Sequence, residues 1–264
     1  MDAAAYLQRI DYHGPREPTV STLSQLHSAH MYSVPFENLD IPLGRPIVLS
    51  LPSLFDKIVR RRRGGFCYEL NGLFAWLLQE IGFDVQMLSG RVFNGSVPGP
   101  EFDHMILLVN AGEKLLADVG FGDSFIEPVL LNHEVQALNG DSYRLAQEYD
   151  DWVLYRQRPA TNWEPQYAFS LQPRRLGEFR TMCQYHQTSP DSSFTSKSVC
   201  SLATEDGRVT LSNDQFIVTS RGSRQEHTVA TTQAYQDLLR IHFRLDLGAD
   251  VDAATLMAAS SRAK

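Results

Sequence analysis

Cysteine is scarce in this chain of 264 residues: only Cys67, Cys183 and Cys200 occur. An odd number without paired spacing supports neither a disulfide framework nor a zinc site. Long hydrophobic runs are missing too, and nothing approaches the roughly 20 apolar residues of a membrane span. The opening Met-Asp-Ala-Ala-Ala-Tyr-Leu-Gln-Arg-Ile10 is charged and lacks the apolar core of a signal peptide. These features predict a protein of the reducing cytoplasm, in which Asn94-Gly-Ser96 is only a turn and not a glycosylation acceptor. Excess positive charge is absent: 24 Lys and Arg stand against 31 Asp and Glu, a net charge of −7. A nonspecific nucleic-acid binder needs the opposite balance. The one basic run, Arg60 to Arg63, reads as a solvated helix end. No Gly-x-x-x-x-Gly-Lys loop occurs, Gly120-Phe-Gly122 is not a nucleotide fingerprint, and no paired-carboxylate signature of a glycosidase stands out. His27 and His30 lie three apart on a helical stretch without a third ligand, so no metal is expected and both read as structural.

What is present is a 43% hydrophobic composition, enough for a sizeable core. Helical periodicity covers Ala3 to Ile10, Thr19 to Tyr32 and Ser53 to Arg61, the last with Ser50 or Ser53 as cap. It is strongest from Phe66 to Ile81, where Leu70, Leu73, Phe74, Leu77, Leu78 and Ile81 make one wide face and Gly82 ends the helix. Val34 to Pro42 is extended or turning, since each proline disfavours helix at the residue before it. Short β-rich runs follow at Val85–Phe93, His104–Asn110, Lys114–Val119, Ser142–Ala146 and Trp152–Arg156. Turn residues separate them, which suggests an antiparallel barrel or sandwich. Trp163 to Asp191 reads as irregular and polar. Three more strands at Ser198–Thr204, Arg208–Ser212 and Gln215–Thr219 precede a helix over Thr231–Phe243. The alanine-rich tail after Gly248 reads as frayed. The outline is α+β with three domains: a helical bundle over residues 1–84, a β-barrel over 85–190 and an α/β lid over 191–264.

The chemistry gathers on three residues. Cys67 follows Arg63-Gly-Gly-Phe66 at the head of the strongest helix. A thiol there is either a buried structural group or a thiolate favoured by the positive end of the helix dipole. The glycines let the chain turn sharply and leave backbone N–H groups near the sulfur, where they can hold an oxyanion. His104 begins a buried strand, and Asp118 closes the next one. Each has a structural alternative, as a satisfied core histidine and as a turn carboxylate. If the two strands pair as a hairpin, the carboxylate can orient the imidazole, and the imidazole can hold the thiolate.

Val34-Pro-Phe-Glu-Asn-Leu39, Arg63-Gly-Gly-Phe-Cys-Tyr-Glu-Leu-Asn71, His104-Met105 and Asp118-Val-Gly-Phe-Gly122 resemble the arylamine N-acetyltransferases, in order and spacing and nearly end to end. Thr210-Leu-Ser-Asn-Asp-Gln-Phe216 and the late helix look like that family's closing domain. The resemblance implies the bundle, barrel and lid on a cysteine-protease-like core. It implies acetyl-coenzyme A as co-substrate without a metal, and an aromatic amine, hydrazine or N-hydroxyarylamine as the small-molecule acceptor, with neither nucleic acid nor membrane as partner. It makes Cys67 the acetylated nucleophile, His104 its base and Asp118 the orienter. It makes Glu37 and Arg63 a structural ion pair, with Asn71 as further support. It places Phe36, Phe93, Gly120, Phe121 and Gly122 along the cleft for acceptor and coenzyme. One departure is Asp103, where the family commonly has Thr or Ser. Strand alternation turns it away from Cys67, although its charge can repel an anionic donor or alter acceptor preference. Cysteine hydrolases share the Cys-His-Asp order. Amide synthases that take a carrier-bound chain resemble the same family. Both remain alternatives.

Overall fold

The structure is a computed structural model and describes residues 1–248 and 251–258. Helix α1 (Ala3–Arg9) is capped by the Asp2 carboxylate, which accepts the Ala4 N–H at 2.9 Å. Helix α2 (Val20–Ser33) is capped by Thr19. In both, a side-chain oxygen satisfies an amide that the first turn leaves free. Strand β1 (Phe36–Glu37) follows the Val34-Pro35 step. Helix α3 (Leu51–Phe55) is capped by Ser50, so it begins two residues before the sequence reading, and it continues into a π-helical turn over Asp56–Arg60. The buried Arg9 donates to the Ser33 and Ile58 carbonyls at 2.8 and 3.0 Å, tying α1 to α2 and to that turn.

Helix α4 (Cys67–Ile81) is the spine of this region. Leu70, Leu73, Phe74, Leu77 and Leu78 are fully buried, and so are several residues on its other faces. A helix buried nearly all round packs on several elements at once. Here α4 lies among α1 and α3 on one side and the first strands of the barrel on the other.

The barrel sheet comprises β2 (Asp84–Asn94), β3 (Val97–Pro98), β4 (His104–Asn110), β5 (Lys114–Ala117), β6 (Val129–Leu130), β7 (Gln136–Leu138), β8 (Asp141–Glu148), β9 (Asp151–Gln157) and β10 (Glu164–Phe169). Its antiparallel order is β6-β5-β4-β2-β10-β9-β8-β7, with β3 beside β2. The two terminal strands follow each other in the chain. The Gln136 amide clasps them by accepting the Leu130 N–H at 2.7 Å and donating to its carbonyl at 3.0 Å. The sheet nearly closes as a result. The stretch from Trp163, read from sequence as irregular, contains β10, which lies between β2 and β9. Pro165 and the polar neighbours hide it. The register shifts between Pro165 and Tyr167, a bulge that accommodates the missing N–H. The same stretch holds α5 (Arg180–Thr188), whose apolar face is too narrow to announce itself: Cys183 and His186 are its buried residues.

After α6 (Ser193–Ser196), strands β11 (Val199–Thr204), β12 (Gly207–Ser212), β13 (Gln215–Ser220) and β14 (Ser223–Thr228) form a second antiparallel sheet. The sequence reading lacks β14 because all six of its residues are exposed and polar. The opposite edge of this sheet is β1, with Phe36 opposite Ser201 and Glu37 opposite Cys200. The N-terminal third is thereby stitched to the C-terminal third. Helix α7 (Thr232–Phe243) covers the sheet through Tyr235, Leu239 and Phe243. The tail expected to fray instead carries α8 (Ala253–Met257), with Ala253 and Leu256 buried in the same cluster. Positions 249–250 and 259–264 of that tail lie outside the described residues.

Leu73 is fully buried on α4, whereas Ile241 on α7 is 67% exposed. Leu73→Ala is expected to cost about 2–5 kcal/mol, and Ile241→Ala to stay within about 0.5 kcal/mol. Urea denaturation midpoints at constant slope check the pair, and equal midpoints would refute this placement of the core.

Candidate active site

Cys67 is the first residue of α4. The turn before it is shaped by close approach. A Cβ on Gly64 would lie 2.0 Å from the Pro35 carbonyl oxygen, so only glycine fits between β1 and the helix. Glu37 N–H donates to the Gly65 carbonyl at 2.8 Å and fixes that contact. The Glu69 carboxylate reaches back to accept the Phe66 N–H at 3.2 Å, as a capping acid does in a first turn. The thiol is 3% exposed. Burial pushes it well above its ordinary pKa, against the Met105 backbone amide, and the Asp118 and Asp103 charges add to the rise. The sequence reading expects the helix dipole to favour thiolate. In this structure desolvation outweighs the dipole.

His104 starts β4 and Asp118 lies one residue past β5. These strands pair antiparallel, with Leu107 opposite Ala117. His104 Nε2 meets Asp118 Oδ2 at 2.8 Å, and both side chains are buried. An ionised carboxylate only accepts, so Nε2 carries the proton and Nδ1 is the basic nitrogen. Burial works to raise the Asp118 pKa. The neighbouring His104 charge and the hydrogen bonds from His104, Asn71 and the Gly120 N–H outweigh it and hold the carboxyl below its ordinary value. Asn71 is four residues after Cys67, hence on the same helix face. Its amide donates to the Met105 carbonyl at 2.6 Å and to Asp118 Oδ1 at 2.8 Å, and accepts the Val119 N–H at 2.9 Å. A Cβ on Gly120 would lie 2.7 Å from Cys67 Cα, so the loop rests directly on the head of the helix.

Beneath the thiol lies a buried cluster of five charges. Arg63 Nη2 is 2.8 Å from Glu37 Oε1 and 3.1 Å from Asp40 Oδ1. Lys57 Nζ is 2.7 Å from Asp40 Oδ2 and 2.9 Å from Glu69 Oε1. The Glu37–Arg63 pair of the sequence reading is part of this network, and Lys57, Asp40 and Glu69 are its members that the sequence reading lacks. Three carboxylates face two cations. Burial pushes Glu69 up to about 7, partly offset by Lys57 and reinforced by Glu37 and Asp40. The same three acids hold Lys57 above its ordinary value despite burial.

Around this centre, Phe121 packs its ring 5.2 Å from the His104 ring, and Gly122 sits against Phe36. Phe194 of α6 joins Phe36 at 6.3 Å and Phe66 at 5.6 Å. Phe93 is placed farther out, half-buried opposite Pro98 in the β2–β3 hairpin. Asp103 turns to His186 of α5, with Oδ1 3.2 Å from Nε2, while the Tyr68 hydroxyl donates to its carbonyl at 3.0 Å. The loop continues to Asp123, which lies 3.3 Å from both Arg156 of β9 and Arg208 of β12 and so links the two sheets. Two further residues stand behind the dyad: Tyr167, which the sequence reading lacks, and His27, which it reads only as structural. Tyr167 of β10 packs 5.4 Å from the His104 ring. His27 hydrogen-bonds the backbone of Asp118. Neither carries a motif; only the fold brings them here. Among the described residues, no cluster of three or more His, Cys, Asp or Glu is arranged to hold a metal, and no helix is long and apolar enough to cross a membrane.

A family profile described as N-acetyltransferase matches residues 19–251. The arylamine N-acetyltransferase of Mycolicibacterium smegmatis is 37% identical over 257 residues, covering 94% of this chain and 93% of that protein. A solved M. smegmatis arylamine N-acetyltransferase superposes with a TM-score of 0.91 at 35% identity, over 98% of both chains. The Mycobacterium marinum arylamine N-acetyltransferase in complex with CoA superposes at 0.88 and 32% identity, again over 98% of both. The chain belongs to the arylamine N-acetyltransferase family and is an enzyme of the acyltransferase class.

Glu69 binds its proton more tightly folded than unfolded, so the folded state loses relative stability as pH rises from about 4.5 to about 7. Glu69→Gln keeps an acceptor for the Phe66 N–H and removes the surplus charge. The melting-temperature difference, variant minus wild type, is expected to grow across that window and level off above it. A difference that does not change with pH would show that the cluster carries no strained acid.

Proposed function

We propose that the enzyme moves an acetyl group from acetyl-coenzyme A through Cys67 to the nitrogen of an arylamine, arylhydrazine or N-hydroxyarylamine. The observation that carries this reading is the buried His104–Asp118 contact at 2.8 Å, locked by Asn71 to the helix that begins with Cys67. The CoA complex of the M. marinum relative supports the donor. The three cysteines are free thiols, which fits a reducing compartment such as the cytoplasm.

In the first half-reaction His104 Nδ1 takes the Sγ proton of Cys67. Thiolate and imidazolium neutralise each other in a low-dielectric site, and the ionised Asp118 stabilises the imidazolium. Sγ attacks the thioester carbonyl carbon, and the oxyanion turns to backbone N–H groups at the head of α4. The carbon–sulfur bond to the coenzyme breaks, and the leaving thiolate takes the proton from His104. In the second half-reaction the amine lone pair attacks the acetyl-cysteine carbonyl. His104 accepts the proton shed by nitrogen and returns it to Sγ as the thioester opens. A ping-pong order lets two bulky partners use one cleft in turn.

Cys67→Ala is expected to fold and to lose all acetyl transfer to a panel of aromatic amines and hydrazines; retained transfer would reject the mechanism. Asp118→Asn is expected to slow alkylation of Cys67 by iodoacetamide at neutral pH, and an unchanged profile would count against the three-residue assembly. Incubation with acetyl-CoA alone is expected to release CoA only to the extent of one acetyl per enzyme. Continuous release without amine would mark a hydrolase instead.

A further inference from the structure

His27 lies in the middle of α2 and is fully buried, yet it makes two directed hydrogen bonds. Its Nδ1 is 2.7 Å from the Ile126 carbonyl oxygen, and its Nε2 is 3.1 Å from the Asp118 backbone nitrogen. A carbonyl only accepts, so Nδ1 must carry a proton. A backbone N–H only donates, so Nε2 must present a lone pair. One neutral tautomer satisfies both, and an imidazolium would set N–H against N–H. The ring plane is fixed from two sides, stacked 5.6 Å from Phe125 and edge-on to Phe74 at 6.1 Å. Burial, opposed by weaker contributions from Ile126 and Asp118, lowers its pKa to about 4, so the neutral ring persists at working pH.

The two bonded positions are the neck of one loop. Asp118 opens the segment and Ile126 closes it, and Gly120, Phe121 and Gly122 lie between. We propose that His27 is a positioning residue for acyl transfer: it clasps the neck of the 118–126 loop and thereby sets the Asp118 carboxylate against His104. The inference rests on the acyl-transfer reading above. The clasp acts on the peptide of Asp118 while Asn71 acts on its carboxylate, so the residue is held at both ends. Ser28, the next residue of α2, also donates to the Ile126 carbonyl at 3.2 Å, which leaves the Asp118 end of the clasp to His27 alone in this pair.

Three variants separate the two bonds. His27→Gln can offer its amide oxygen where Nε2 accepts the Asp118 N–H. His27→Asn can offer an N–H where Nδ1 donates to Ile126. His27→Phe keeps a ring and neither bond. With acetyl-CoA and an aromatic amine, His27→Phe and His27→Asn are expected to lose on the order of 10²-fold in kcat, as a misplacement of a reacting group by about 1 Å does. KM for acetyl-CoA should change little, and the pH at which Cys67 becomes half-reactive towards iodoacetamide should rise. His27→Gln is expected to recover most of kcat and the wild-type alkylation profile. Should His27→Phe fail to fold, the comparison of His27→Gln with His27→Asn still decides. Equal kcat and equal alkylation profiles in those two, or wild-type behaviour of a folded His27→Phe, would overturn the inference. Asp118→Asn is run alongside. If it leaves alkylation unchanged, the acyl-transfer reading itself fails; if it changes alkylation while His27→Phe and His27→Asn do not, only the role of His27 falls.

Discussion

The side-chain amide of Asn71 ties the helix that begins with Cys67 to the strand of His104 and to the carboxylate of Asp118. It touches the Met105 carbonyl of β4, the Asp118 carboxylate and the Val119 N–H, all within 3 Å. Cys67 stands one turn earlier on the same face of α4, so sulfur, imidazole and carboxylate become parts of one rigid body. The group doing this is neutral, and that matters. A cation at position 71 would compete with His104 for Asp118, and an anion would repel it. An amide supplies donors on one arm and an acceptor on the other without altering the charge of the site. Gly120 completes the arrangement by letting the loop approach Cys67 Cα more closely than any side chain permits.

The charges follow from that packing. The head of a helix attracts an anion, but only within the first turn and by a modest amount. Removing a thiolate from water costs more, and the carboxylates of Asp118 and Asp103 oppose it further. On the acyl-transfer reading proposed above, Cys67 acts after proton transfer to a partner within the site rather than as a standing anion. The cluster below repeats the logic on a structural scale. Two cations bind three carboxylates out of water, and the least compensated acid, Glu69, is also the cap of the helix that begins with Cys67. Breaking one member of such a network strands the others, so the turn that presents Cys67 resists displacement.

Much of this was legible in the sequence because the strongest signals are local. The apolar face of α4 repeats at helical period, Gly82 ends it, and Thr19, Ser50 and Thr231 cap helices within one turn. The motif residues 34–39, 63–71, 104–105 and 118–122 lie in short contiguous runs. The parts that were hidden depend on long-range contacts. Strand β10 carries a proline and few aliphatic residues, and its place between β2 and β9 is decided by partners that lie 8 to 79 residues away. Strand β14 is polar on both faces, so no alternation marks it. His27, Lys57 and Tyr167 belong to the site only because α2, the π-helical turn and β10 converge on it. Their local surroundings resemble ordinary core and surface positions.

Asp103 shows how charge and packing combine beside His104. Asp103 lies in the bend just before β4, and the two neighbours part there: His104 turns to Asp118, Asp103 to His186. His186 is itself held by Ser192 at 3.0 Å and packed against Tyr68 and Phe194. The Asp103 carboxylate therefore has a partner on α5, and the Tyr68 hydroxyl anchors its carbonyl to the residue next to Cys67. An acid beside His104 would be a liability if it reached the thiol, since it would raise the cost of every thiolate. Turned away and paired, it instead ties α5 to the strand that carries His104, and its remaining influence on sulfur is the long-range field that already appears among the charges opposing ionisation of Cys67.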